Sequence, residues 1–411
     1  MKFKYFIILI FFHLINNIGA QVVNNKIIIG SIDSLDSKIL NEERKILVHI
    51  PNSFYTGLFK NQKYPVVYLL DGESHFTSVV GLIEQLSQLN ANTVCPEMIV
   101  VGISNTNRTR DLTPTLDKNA PFMDSSQAAS TGGGEVFTQF LEKELIPYIN
   151  EKYPTAPYKM IVGHSLGGLM VLNTLINHSK LFNAYVSIDP SVWWDNQYLL
   201  KESNKVLKDK KIQNKTLFLA MANTLNKGMD TTMLRRDTSE LMNPPRSILQ
   251  YVDILNNSSL SKWNWKYYKN DDHGSVPLIA EYDALRFIFD FHKLPPFYDI
   301  LDNYSNPDLE ISKHYETVSN KMGYLIYPPE SIIEQLGYIC LNEKKYDKCF
   351  GFFAMNIKNH PENFNGYDSM GDYYDAIGNT KKAIEYYEKA LALNNFPETR
   401  RKYELVKTKK Q

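Results

Sequence analysis

Only three cysteines, Cys95, Cys340 and Cys349, occur in the 411 residues. An odd and widely spaced set builds neither a disulfide framework nor a four-ligand zinc site, so small stapled scaffolds are excluded, no structural metal is expected, and at most one bridge can form. Net charge is missing as well: 45 basic side chains balance 45 acidic ones, with no long run of Lys and Arg. Without that electrostatic footprint, nucleic acid is not an expected partner. Nor does any stretch reach the roughly 18 consecutive apolar residues of a membrane-spanning helix. What is present is a 43% hydrophobic fraction, ordinary for a folded protein, and enough length for two domains.

Residues 1–20, MKFKYFIILIFFHLINNIGA, place Lys2 and Lys4 ahead of an apolar run from Tyr5 to Ile15, broken by His13 and followed by Gly19 and Ala20. That layout is a secretory signal peptide, too short to span a bilayer. The expected mature protein is therefore exported, periplasmic or secreted, with no stable membrane insertion after the segment is removed.

From residue 21 to about 297 the chain alternates strand-length apolar runs with helical patterns. Strands are expected at Lys45–Pro51, Tyr64–Leu70, Glu97–Ser104, Lys159–Val162, Ala184–Ile188, Thr216–Ala222 and Trp265–Lys269. Helices are expected at 135–152, Leu166–Asn177, near 198–211, near 238–256, and at Pro277–His292. Strands separated by helices require a mostly parallel sheet covered on both faces, which makes this domain α/β. Such sheets bind ligands at the carboxyl ends of their strands, so chemistry is sought just after each strand.

Gly163-His164-Ser165-Leu166-Gly167 fits G-x-S-x-G between a short strand and a helix, the context in which that pattern forms a nucleophile elbow. Ser165 would project its hydroxyl above the sheet, with the Leu166 N–H under a substrate carbonyl. A serine needs a base, and His273 is the histidine that follows a late strand, in the loop Asn270-Asp271-Asp272-His273-Gly274-Ser275-Val276. His164, as the x of the elbow, points away from that role and is grouped with substrate-binding candidates. The acid should lie between Ala222 and His273. Asp230 is the first choice because Asp237 reads as a helix start, although Asp237, Glu240 or a dyad without an acid stay open. The Glu73 N–H, after the strand ending at Leu70, is the second expected oxyanion donor. Trp193 and Trp194 offer either a flat wall for an acyl or aromatic group or packing beneath the next helix.

Taken together, YPVVYLLDGESHF, VGISNTNRTRDLTPT, GHSLGGLMVLNTL, SIDPSVWWDN and DDHGSVPLIAEYDALRFIF resemble the putative esterase family of α/β-hydrolases. That family includes esterase D-like enzymes and ferric-siderophore esterases of the enterobactin and bacillibactin type. The resemblance spans roughly residues 30–295. It implies an α/β-hydrolase fold, Ser165 as nucleophile, His273 as general base, the Asp71-Gly72-Glu73 turn as oxyanion loop, no cofactor, and a small-molecule ester as substrate. Arg108, Arg110 and Asp111 fall in a family loop near the site, where the arginines either hold an anionic or catecholate group or form a structural ion pair. The acid position varies in the family and is not fixed by the resemblance. The expected activity is that of a serine carboxylester hydrolase working through an acyl-enzyme; acyl transfer by the same nucleophile and a scaffold serving a protein-interaction module are the alternatives.

Beyond Pro295-Pro296 the pattern is helical only, and residues 298–411 form the second expected domain. Leu336-Gly337 and Met370-Gly371 lie 34 residues apart, and on that offset Cys349 aligns with Ala383, Phe353 with Tyr387 and Asn356 with Ala390. Two tetratricopeptide-like repeats are expected, about 330–363 and 364–397. Such a tail serves as a packing appendage, a self-association contact or a groove for a protein partner.

Overall fold

Apolar runs flanked by turn residues become the strands of a mixed sheet, and their depth of burial follows their position in it. The computed structural model describes residues 21–409, apart from 24–25, 56–61, 88, 90–91, 122 and 209–211; the expected signal peptide lies outside the described residues. The strands are β1 (Gln21–Val23), β2 (Lys26–Ile28), β3 (Ser31–Ser37), β4 (Glu42–His49), β5 (Tyr64–Leu69), β6 (Ile99–Ile103), β7 (Thr155–His164), β8 (Ala184–Ile188), β9 (Thr216–Ala222) and β10 (Lys262–Tyr268). β1 and β2 form a separate antiparallel hairpin; the other eight make one sheet in the order β10-β9-β8-β7-β5-β6-β4-β3. Pairing is antiparallel at β3–β4 and β4–β6 and parallel from β6 through to β10.

Every residue of β5, β6 and β8 is buried, because helices cover both faces of the central sheet; this is why those segments read as unbroken apolar runs. β3 at the edge instead mixes exposed and buried positions and carries Ser and Asp, so it has no apolar run and is additional to the expected strands. The helix Gly72–Ser87 is also additional to the expected set, as are the short helices Thr231–Arg236 and Arg108–Asp111. The helix Leu166–Asn177 has its expected bounds and is almost wholly buried. Between Gly134 and Lys152 the helical path contains one π-helical turn, Leu141–Leu145.

Register brings the strand ends together. Leu69 pairs with Val162, Val162 with Val186, and Ile188 with Ala220, so the chain leaving β5, β7 and β8 emerges on one edge. β9 and β10 end in step, Ala222 against Tyr268.

The first compact unit ends at Asp290 and the second begins at Phe291, seven residues before the expected boundary. In the second unit, Glu330–Asn342 pairs with Tyr346–Asn359, and Phe364–Ala376 with Thr380–Leu393; Pro307–Met322 precedes them and Pro397–Lys409 follows. The 34-residue offset has a steric basis. A Cβ on Gly337 would lie 2.3 Å from the Phe353 ring, and one on Gly371 would lie 2.5 Å from the Tyr387 ring. Each ring thus occupies the volume a side chain would need. Asn356, at a position where repeat packing favours a small residue, is buried and donates to the Glu330 carbonyl at 3.1 Å. All three cysteines are buried and unpaired. Among the described residues no helix is long and apolar enough to cross a membrane, and no group of His, Cys, Asp and Glu is arranged to hold a metal ion.

Candidate active site

Ser165 sits between β7 and the helix Leu166–Asn177 with φ 60° and ψ −117°, a backbone region that non-glycine residues adopt at a cost of order 1–3 kcal/mol. The surroundings hold it there: its N–H donates to the Ile188 carbonyl at 2.9 Å, and its carbonyl accepts from Leu169 at 3.0 Å and Ser191 at 3.1 Å. The turn closes because Gly163 has no side chain. A Cβ there would meet the Gly167 carbonyl oxygen at 2.4 Å. Leu166 occupies the first helical position, where the N–H has no intrahelical acceptor and is free to meet a ligand oxygen.

His273 arrives from the loop after β10. That loop is tied to the end of β9 by Asn223, whose N–H donates to the Asp271 carbonyl at 2.7 Å and whose amide reaches the Lys269 carbonyl at 2.8 Å. Asp272 turns the chain by accepting from the N–H groups of Gly274 and Ser275 at 2.9 and 2.8 Å. The ring is half-exposed, and its Nδ1 lies 2.6 Å from Oδ2 of Asp189. Asp189 follows β8, is buried, and uses its other oxygen, Oδ1, to accept the Ala222 N–H at 2.8 Å.

The carboxylate at the histidine is therefore Asp189 and not Asp230. Asp230 is exposed and caps the helix Thr231–Arg236, accepting from Met233 N–H at 2.7 Å. Asp237 binds Ser239 and Arg246, and Glu240 is exposed. The signal for Asp189 was in the sequence: an aspartate directly after an apolar strand, in SIDPSVWW, on the side where α/β sheets carry ligands.

Ser165, Leu166, Asp189, His273, Arg108 and Trp193 all line one cavity of about 520 Å³. Glu73 does not line it; its carboxylate faces Asn105, which donates from Nδ2 at 2.9 Å. Arg108 makes a two-point pair with Asp71, Nε to Oδ1 at 2.6 Å and Nη2 to Oδ2 at 2.9 Å, and also reaches the His164 carbonyl at 3.3 Å. Burial alone would raise the Asp71 pKa, but the Arg108 guanidinium and the Asn105 amide hold it below the usual carboxylate range.

Arg110 is outside the cavity lining, contrary to its expected substrate role. It binds Glu42 through Nη1 and Nη2 at 3.0 and 2.7 Å and Asp111 through Nε at 2.7 Å, while Asp111 and Glu42 also hold the buried Arg44 at 2.6 and 2.9 Å. These four side chains are bonded to one another, and Arg44 Nη2 also donates to the Ser104 carbonyl at 2.9 Å, so the structural reading of Arg110 applies. His164 is likewise absent from the lining. Its ring packs against His273 with centroids 4.4 Å apart and edge-on to His75 at 5.9 Å, and its Nε2 is buried without a hydrogen-bond partner. Burial, reinforced by the neighbouring His273, pushes its pKa down to about 4, which keeps the ring neutral. Trp193 is on the cavity wall, whereas Trp194 is buried with its indole N–H donating to Thr115 Oγ1 at 3.1 Å. A buried carboxylate bonded to an imidazole, a serine on a strained turn lining the same cavity and a helix N–H without an intrahelical acceptor form an arrangement suited to nucleophilic acyl chemistry.

Residues 37–240 match the model of the "Putative esterase" family, and residues 365–396 match a tetratricopeptide repeat model. The chain is 31% identical over 234 residues to the ferri-bacillibactin esterase BesA of Bacillus subtilis, covering 54% of this chain and 78% of BesA. It is 23% identical to the siderophore enterobactin esterase of Emericella nidulans, over 51% of this chain and 77% of that protein. Among solved structures, an IroE-like serine hydrolase from Shewanella oneidensis superposes with a TM-score of 0.64 at 30% identity, covering 80% of this chain and 98% of the other.

Proposed function

The chain belongs to the "Putative esterase" family, and from that premise we propose that it is an exported serine carboxylester hydrolase working through an acyl-enzyme. Its fold is the α/β architecture of IroE-like hydrolases, and its relatives hydrolyse esters, including siderophore esters by their names. The observation that carries the reading is the strained Ser165 on the same cavity as a His273 whose Nδ1 is held by Asp189 at 2.6 Å.

In this mechanism Asp189 accepts the Nδ1–H of His273, which leaves the Nε2 lone pair free to take the Ser165 proton. Ser165 Oγ attacks the ester carbonyl, and the developing oxyanion is met by the Leu166 N–H. The protonated imidazole then gives its proton to the leaving alcohol, leaving Ser165 acylated. Water, deprotonated by the same nitrogen, releases the acid. Export rests on the leader-like residues 1–20. The repeat match in the tail supports a second role, a surface for a protein partner or a second copy of this chain.

The test is Ser165→Ala. It should abolish turnover of p-nitrophenyl acetate and labelling by a fluorophosphonate, with an unchanged circular dichroism spectrum. Retained turnover, or a label mapped to another residue, would refute the assignment.

A further inference from the structure

We infer that the cavity beside Ser165 selects esters whose bound group is uncharged, and rejects multiply anionic groups such as a ferric triscatecholate. The inference rests on the hydrolase reading above. The cavity lining includes Met123, Trp193, Met242, Pro245 and Ile248, which present mostly carbon and sulfur, while its other polar members Ser191, Thr224 and Asn226 carry no charge. Fixed charge among the described lining residues comes from Arg108 and Asp189 alone. Arg108 is already neutralised by its two-point pair with the buried Asp71. Asp189 adds a negative charge, shared with a histidine that must be neutral to act as base. Arg110, the other arginine of that loop, is held outside the cavity by Glu42 and Asp111.

An anion entering this space would leave water for a lining whose polar groups are mostly neutral, meet a carboxylate, and find no lining cation without a partner among the described residues. Burying an uncompensated charge is among the most costly steps in recognition. A ferric triscatecholate is a trianion. The iron-free ligand, with its catechol hydroxyls protonated, is neutral and pays no such penalty. The chain thereby departs from what the name of its ferri-bacillibactin relative would suggest.

The experiment compares kcat/KM of the full chain for p-nitrophenyl butyrate with that for the similarly sized, anionic p-nitrophenyl hemisuccinate, and for a catecholate trilactone with and without bound ferric iron. The expected result is a preference of at least about tenfold for the neutral member of each pair. Leu241 is exposed on the rim of the cavity, so Leu241→Lys should fold normally and narrow the gap for the hemisuccinate. Equal or inverted ratios, with Ser165 still labelled by a fluorophosphonate, would overturn the inference while leaving the hydrolase reading intact. Loss of both labelling and all ester turnover would sink the hydrolase reading, and this inference with it.

Discussion

Replacing Asp189 by asparagine tests the site at its most informative point. The carboxylate has two obligations, accepting the Ala222 N–H on Oδ1 and holding His273 Nδ1 on Oδ2. An asparagine can keep the first only if its oxygen faces Ala222, because an amide NH2 there would oppose another donor. Its NH2 must then face His273, where it can be accommodated only if Nδ1 carries the lone pair. The proton consequently moves to Nε2, the nitrogen that should receive the Ser165 proton, and the base is disabled with its geometry intact. Aspartate-to-asparagine changes of this kind in serine proteases lower turnover by about 10⁴-fold, or about 5.5 kcal/mol of activation free energy. His273 is half-exposed here, so water can offset part of the loss, and a fall of about 10³-fold in kcat for p-nitrophenyl acetate is expected. Thermal stability should change by less than about 1 kcal/mol, since the Ala222 bond survives. Asp230→Ala is the control: it removes a helix cap worth about 1 kcal/mol and should alter kcat by less than about threefold. Near-normal activity in Asp189→Asn, or collapse in Asp230→Ala, would refute the reasoning.

Ser165→Gly should abolish labelling yet melt higher than Ser165→Ala, because glycine adopts φ 60° without the strain of a Cβ; scanning calorimetry of the two variants measures the difference, of order 1 kcal/mol. Arg110→Ala strips Glu42 and Asp111 of a shared cation and should lower the melting temperature with kcat/KM held within about twofold. Arg108→Ala, by contrast, leaves the buried Asp71 unpaired beside the cavity and should lower both stability and activity. In the helical unit, burial and the nearby Glu334 raise the Glu330 carboxyl from 4.5 to about 7. A raised folded-state pKa means stability that is fully present below 4.5 and lost as pH climbs through about 7, amounting to as much as about 3 kcal/mol. Glu330→Gln should remove that slope, slowing amide exchange in Glu330–Asn342 at pH above 7 and leaving it unchanged near pH 4.

Much of the sheet is legible in the sequence because its inner strands are buried on both faces. Ala184–Ile188 and Thr216–Ala222 have the expected bounds, as does the helix Leu166–Asn177. Legibility fails where burial is one-sided or brief. β3 has only two fully buried positions among seven, and no apolar run marks it. The 34-residue repeat was visible because the same steric problem, a glycine under an aromatic ring, is solved twice. Arg110 was ambiguous for a different reason: a guanidinium pairs equally well with a protein carboxylate or a ligand, and only the fold places Glu42, 68 residues earlier, against it.

The acid was missed for a reason that the backbone makes plain. Asp71, Ser165 and Asp189 follow β5, β7 and β8, three neighbouring strands, and each is a non-glycine residue with positive φ, at 52°, 60° and 40°. A reading based on loop length places the acid where chain is plentiful, in the segment 223–236, since a long loop seems best able to reach the histidine. The fold does the opposite. It takes a residue one or two positions beyond each strand and bends it through an unfavourable conformation, so that little slack is left at the sheet edge. Residue identity carries no mark of φ, and an aspartate after a strand looks like a turn former. The strain is sustained because β5 and β8 are buried along their whole length, and the bends are bonded to neighbouring chain: Ser165 to Ile188 at 2.9 Å and Asp189 to Ala220 at 2.8 Å. Short, over-determined connections fix two of the reacting groups to the sheet itself, and only His273 is left on a loop, pinned through Asn223. In the proposed mechanism rigidity thus falls where the nucleophile and the carboxylate behind the base must not drift, and the loop-borne group is the imidazole that has to exchange protons with the serine, the leaving alcohol and water.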